Sequence, residues 1–405
     1  MMTVTNKYKN NNIHIYTIFT LLGTYMLALL IITENSRYSS IILFVLLYTM
    51  FIFAIIKKKV RIDILSIVNI VFTLYYLITY LNTPELIDSS YGRMKTIIYM
   101  LFLFLLVLQM DMIKNMGNYI TKLFLVVGIL YCSYYVYTLK VTGIITAITF
   151  GDRFGGSVNN INELGMFMTL FFLFFIHIGN TNKRWIYYLL SIIPACIVIA
   201  TNSRKAIVGL IIGLSLYIYL CNHSKKKLKT IFYICILLIF IFGLLQLSVF
   251  ENIYNRVSSL WTDTADKSAV QSSYIRSNMI DFGLTGIKNK PIFGHGFNMF
   301  TLNYGYQSGT YTYSHNNYIE LLYNQGILGL VLYYLRYIIV IKGMWIFIRT
   351  KDKLGIILLV FLILSIAYDF ACVSYYNPIN YVILLISYLY YLNTKTTLMG
   401  KLEYE

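Results

Sequence analysis

Uncharged apolar runs of about twenty residues recur along the whole chain, the length an α-helix needs to cross the hydrocarbon core of a bilayer. They fall near residues 13–33, 41–56, 63–81, 96–113, 119–138, 162–179, 184–201, 204–221, 228–250, 326–348, 354–372 and 378–393. A backbone in hydrocarbon must satisfy its own hydrogen bonds, so each run is expected to be a helix. The pattern therefore predicts an all-α, polytopic integral membrane protein with about twelve transmembrane helices. The first run has no small-residue cleavage site and reads as a retained span.

Polar sequence between the runs sorts onto two sides. Assigning alternate sides from an inside N-terminus puts Lys7, Lys9, Lys57, Lys58, Lys59, Arg61, Lys183 and Arg184 on one side. Lys225, Lys226, Lys227, Lys229, Arg349, Lys351, Lys353, Lys395 and Lys401 join them. Short cytoplasmic loops retain cations in this way, so both termini are expected in the cytoplasm. The other side receives loops near 82–95 and 139–161, a tight turn at Thr201–Lys205, and one large extracytoplasmic loop over 251–315. The chain thus divides into an N-terminal bundle over 1–250, the large loop over 251–315, and C-terminal helices with a cytoplasmic tail over 316–405. Within the loop a helix is expected around Ser272–Lys288, ending at Lys290-Pro291. Loops of such length are usually functional.

Composition agrees. Of 405 residues 58% are hydrophobic and only 12% charged, against about a quarter charged in soluble domains. The net charge of +17 follows from 33 Lys+Arg and 16 Asp+Glu. In a soluble chain it would point to nucleic acid. Here the cations sit in short loops and the aromatics sit among apolar residues, so nucleic-acid binding is excluded. The five cysteines lack CxxC spacing, and no Asp-x-Asp pair or His/Cys cluster calls for a metal ion or another cofactor.

Four polar constellations, all on the loop-rich side, are candidates for chemistry. Ser203-Arg204-Lys205 sits between two spans with almost no loop. A charge there either snorkels to the interface or faces a bundle cavity, where guanidinium suits a phosphate because its fork donates two parallel bonds. Arg276 precedes Gly294-His295-Gly296-Phe297, in which the paired glycines most simply mean a tight turn. His315-Asn316-Asn317-Tyr318-Ile319-Glu320 stands before Gly326 and Gly329. An imidazole titrates near neutrality and can exchange a proton, and Asn316 and Glu320 are placed to orient it. His14, His177, His223 and His295 lack such company. The fourth stretch runs from Gly151-Asp152-Arg153-Phe154-Gly155-Gly156 to Asn162-Glu163-Leu164-Gly165. Its glycines admit close backbone approach, or simply make a flexible loop before a helix capped by Asn.

In this order, these pieces resemble the O-antigen ligase / Wzy polymerase superfamily over about residues 150–345. The resemblance implies glycosyl transfer, without a metal, from an undecaprenyl-diphosphate-linked oligosaccharide on the outer face of a bacterial cytoplasmic membrane. It implies that Arg204 and Arg276 clamp the diphosphate and that His315 serves the acceptor hydroxyl. Arg153, Asn162, Gly294, Gly296, Asn316 and Glu320 are then candidates for binding substrate or supporting the site. A chain-length regulator and a flippase are the implied protein partners, alongside the lipid bilayer.

Two activities share the motifs. A polymerase transfers the glycan to the sugar of another lipid-linked repeat unit; a ligase transfers the finished glycan to a final acceptor. Abundant Lys, Asn, Ile, Tyr and Phe fit an AT-rich, Gram-positive source lacking lipid A, which favours the polymerase and a capsule-type product. A lipid-linked oligosaccharide flippase is the rival of another class. It would show related halves, whereas here one large loop lies asymmetrically and no repeat is evident.

Overall fold

The computed structural model describes residues 2–31, 37–57, 62–109, 113, 115–150, 161–222, 231–232, 235–236 and 267–403. All regular structure among them is helical. In chain order the helices are α1 (Met2–Ile31), α2 (Arg37–Lys57), α3 (Ile64–Leu81), α4 (Asp88–Val107), α5 (Met116–Phe150), α6 (Ile161–Asn182) and α7 (Ile186–Ala200). They continue with α8 (Arg204–Cys221), α9 (Lys267–Asn289), α10 (Met299–Ser308), α11 (Asn317–Met344), α12 (Ile346–Thr350), α13 (Lys353–Tyr368) and α14 (Pro378–Glu403). Among the described residues, seven stretches are long and apolar enough to cross a membrane: 38–55 in α2, then α3, α4, α5, α6, α8, and α11 with α12. Residues 15–31, α7 and α13 are shorter apolar helices. The span expected over 228–250 lies almost wholly outside the described residues.

The helices pack around α13 and α6. Ile356 to Phe361 of α13 are all fully buried, and a helix apolar on every side belongs in the middle of a bundle. α8 and α14 lie against α13, α6 packs on α7 and α8, and α3 lies against α11. Close approach of α6 and α8 depends on Gly165, where a Cβ would stand 2.3 Å from that of Ala206.

Polar contacts separate two ends of the bundle. At the lower end Tyr388 donates to Asp63 and Tyr390 to Asp352, each at 2.7 Å, and Lys351 donates to the Leu220 and Asn222 carbonyls at 3.0 and 2.7 Å. At the upper end the Phe297 N–H donates to Thr83 Oγ1 at 2.7 Å, Asn202 to the Ala147 carbonyl at 3.0 Å, and Lys205 to the Ala371 carbonyl at 2.9 Å. Asp63, Asn316 and Asp352 accept from first-turn N–H groups of α3, α11 and α13, the usual N-cap arrangement.

Three helices depart from the hydropathy reading. α4 begins at Asp88, well before the expected 96, and ends at Val107. Its polar first turns are helical because Asn298 donates to Ser89 and Ser90 at 3.1 Å and Arg93 donates back to Asn298. α5 runs on to Phe150, past the expected 138, across a break at Lys140 (φ 54°, ψ 157°). α11 starts at Asn317, before the expected 326, and is interrupted at Gly326 (φ 65°, ψ −170°).

That interruption organises the upper end. It frees the carbonyls of Tyr323 and Asn324 and the N–H groups of Ile327 and Leu328. The Pro291–Gly296 loop pairs with all four: His295 and Gly296 N–H donate to Tyr323 and Asn324 at 2.8 and 3.0 Å, and Ile327 and Leu328 donate to Pro291 and Ile292 at 2.9 and 3.4 Å. Irregular backbone at membrane depth is tolerated where protein satisfies it in this way. A Cβ on Gly326 would sit 2.1 Å from the Ile292 carbonyl oxygen. The left-handed φ alone costs a non-glycine residue on the order of 1–3 kcal/mol. Gly326→Ala is therefore expected to lower the thermal unfolding midpoint in detergent markedly, whereas an unchanged midpoint would mean the docked loop contributes little.

The segment over α9 and α10 also has a small core of its own. Met279, Met299, Phe300, Leu302, Ile319 and Tyr323 bury one another beneath α9 and α10. Phe282 stacks on Tyr323 at 5.5 Å between ring centres. α9 covers the stretch read as helical from Ser272, and it ends at Asn289 just before the Lys290-Pro291 break.

Candidate functional site

The upper end of the bundle brings together side chains from distant parts of the chain. α8 begins immediately after a turn built by its own hydroxyls: Thr201 donates to the Val198 carbonyl at 2.6 Å, and Ser203 N–H donates to Thr201 Oγ1 at 3.2 Å. Ser203 Oγ donates to Asn162 Oδ1 at 2.8 Å, which ties the first turn of α6 to the start of α8. Arg204 and Lys205 therefore emerge at a fixed point, in the first turn of α8, and both are half-buried. Arg276 of α9, also half-buried, lies within electrostatic reach of Lys205, as does Arg204.

His315 stands in the link between α10 and α11, in a left-handed conformation with φ 56°. Its ring lies 4.3 Å from that of Tyr313. Burial holds the imidazole well below its ordinary range, at about 4, and the cations Arg276 and Lys205 push it the same way. Two positive groups acting on one imidazole place Arg276, Lys205 and His315 in a common neighbourhood. Tyr313 belongs to it as well: burial raises its hydroxyl to about 12, with Glu163, Cys372 and Glu320 adding to the rise and Arg276 opposing it. At neutral pH the site thus holds a neutral, proton-accepting imidazole beside an arginine and a lysine.

The residues expected to support His315 act on the peptide that carries it. Asn316 caps α11, its Oδ1 accepting from Tyr318 and Ile319 N–H at 3.0 and 3.2 Å. Glu320 is fully buried and accepts from Ser314 N–H at 2.7 Å and from Asn324 at 3.4 Å. Asn317 fastens the next loop by donating to Asp369 and accepting from Ser374 and Tyr375 N–H. Asp369 is fully buried and accepts from Ser374, Tyr334 and Asn317.

Gly294 lies against α11 and Gly296 against Thr83, just after α3. A Cβ on Gly294 would meet the Asn324 backbone at 2.5 Å, and one on Gly296 would meet Thr83 Oγ1 at 2.9 Å. His295 bonds the Gly286 carbonyl at 2.9 Å and stacks on Tyr323 at 4.4 Å, so it belongs to the same docking surface. Arg153, expected near the phosphate or sugar, lies outside the described residues.

Several residues of this end escape a reading by motif. Lys205 and Glu163 stand inside the polar constellations of the sequence but were not singled out there; Lys205 acts on His315 and Glu163 on Tyr313. Arg93 lies 4.2 Å over the Tyr376 ring and within electrostatic reach of the buried Glu320. Nothing in the pattern around Arg93 marked it, because its partners come from residues some two hundred positions away.

Among the described residues, the structure is a helical bundle with several apolar helices long enough to cross a membrane, and cations and an imidazole gather at one end. Residues 189–334, from α7 to α11, match the family model described as O-antigen ligase. Over that stretch, about a third of the chain, the protein is similar to the O-antigen ligase family, in agreement with the resemblance carried by its motifs. The matched stretch contains Arg204, Arg276 and His315, while Arg153 and Asn162 lie before it. No curated protein gave a match.

Proposed function

We propose that the protein is a surface-polysaccharide polymerase that moves a glycan from an undecaprenyl diphosphate onto the sugar of another lipid-linked repeat unit. The observation that carries this reading is the convergence of Arg276 and Lys205 on His315 inside the O-antigen ligase domain. The acceptor hydroxyl oxygen forms a bond to the anomeric carbon while the bond from that carbon to the phosphate oxygen breaks. The electron pair leaves with undecaprenyl diphosphate, and the hydroxyl proton passes to His315. Arg204 and Arg276 hold the departing diphosphate, with Lys205 adding positive charge. Fixed donors aimed at developing charge in a partly dehydrated site are the strongest such aid. A single displacement of this kind inverts the anomeric centre and needs no metal.

The bundle is read as twelve crossings in the bacterial cytoplasmic membrane, with the upper end outside and both termini in the cytoplasm. The cationic loops supply the direction. A reporter fused after Lys290 is then expected to read outside and one after Lys227 inside; the reverse pair would remove the basis for an external site.

The depressed imidazole predicts an unusual pH profile. The base is the neutral form, and a folded value near 4 keeps it neutral through the weakly acidic range. The acid limb of kcat/KM, which reports the free enzyme, is expected near pH 4 rather than near 6.5. The limb of kcat should lie higher, because a bound diphosphate offsets the two cations. A kcat/KM limb at or above 6.5 would contradict the assignment.

Purified protein in lipid, given a synthetic undecaprenyl-diphosphate repeat unit, is the direct test of the function. A ladder of lengthening products is expected. Transfer of one preformed chain to a final acceptor would favour a ligase, and carrier translocation without transfer would favour a flippase.

A further inference from the structure

The lower end carries a second site unconnected with His315. Between α3, the junction of α11 and α12, and α14 lies an open groove of about 980 Å³. Lys342, Arg349 and Lys395 line it from separate helical segments, together with Asp63, Trp345 and Tyr391. At about 1.5 Å per residue along α11, Lys342 is more than about 30 Å from the start of the helix beside His315. The groove is thus remote from the upper site.

Its charge is available to a ligand. Asp63 is occupied three times over: it accepts from Ser66 N–H and Oγ at 2.9 Å and from Tyr388 at 2.7 Å. Asp352, another carboxylate of this end, caps α13 and accepts from Tyr390. Neither carboxylate is turned over to the three cations. Lys342, Trp345 and Arg349 are exposed, and the Lys395 ammonium lies 5.7 Å over the Tyr391 ring. Trp345 is 52% exposed at the end of a span, the depth at which tryptophan sits among lipid headgroups. Ile339, Ile346 and Leu392 continue the wall in apolar character. Cations and indole at headgroup depth above an apolar wall match a phosphodiester carrying acyl chains.

We propose that this groove binds the headgroup of an anionic phospholipid from the leaflet at the lower end. Basic pockets between spans at this depth hold such headgroups.

The test uses the full chain in phosphatidylcholine nanodiscs doped with phosphatidylglycerol, followed by native mass spectrometry of the retained lipid. Combined Lys342→Gln, Arg349→Gln and Lys395→Gln is expected to reduce phosphatidylglycerol retention about tenfold or more, from the contribution of each cation near a membrane surface. Neutralising Lys183, Arg184 and Lys353 instead removes the same formal charge outside the groove and is expected to leave retention unchanged. Equal retention by the groove variant, or an equal loss in the control, would overturn the proposal. So would inorganic phosphate displacing the lipid at millimolar concentration, since the site would then select a free anion.

Discussion

Replacing His315 with asparagine is expected to slow glycosyl transfer by about 10²–10⁴-fold, the usual worth of a positioned proton acceptor. Asparagine is the informative choice because His315 has a left-handed backbone, which Asn tolerates better than most residues. The loop geometry then survives while the base is lost. His315→Ala should abolish polymer with the protein still in the membrane. Both variants should keep their affinity for lipid-linked donor, since the diphosphate is held by the cations. Polymer of normal length from either variant would remove His315 from the chemistry.

Arg276→Lys is expected to fail nearly as completely, although it keeps the charge. Guanidinium presents a planar fork to a phosphate, whereas ammonium is a compact point charge. Lys205 already supplies a point charge to the same neighbourhood, so a second lysine duplicates what is present and omits the fork. The measurement is ladder formation by purified protein, with donor affinity read in parallel. Loss of transfer with weakened donor binding is the expected result; full activity would make Arg276 a solvated charge.

Much of this was legible in the chain because membrane physics leaves few options. Long apolar runs must be helices, and the runs 63–81, 162–179 and 204–221 reappear almost unchanged as α3, α6 and α8. Hydropathy failed where polar residues are helical through distant partners. Asp88 to Arg93 read as loop, yet Asn298 takes up their side chains. The Gly326 turn was visible, but not that the Pro291–Gly296 loop would complete its hydrogen bonds. Motif order pointed to Arg204, Arg276 and His315, and gave Lys205 no role although it stands in the same constellation.

Arg336 shows a different limit. It is fully buried in α11 and stacks 3.9 Å over Phe72, 4.6 Å over Tyr333 and 4.7 Å over Tyr381. Its Nε donates to the Tyr333 carbonyl at 3.2 Å. An ionisable residue within a span is itself a signal, so the arginine could have been singled out. The aromatic cage that accommodates it could not, because Phe72 and Tyr381 come from α3 and α14.

The central claim is that guanidinium groups and the imidazole serve one lipid diphosphate. Photocrosslinking tests it with a polyprenyl diphosphate bearing a diazirine beside the phosphates, followed by peptide mapping of the labelled protein. The account predicts label on the peptides containing Arg204, Arg276 and His315 together, competed away by unlabelled polyprenyl diphosphate. Label confined to one of these peptides, or centred on other parts of the bundle, would contradict it.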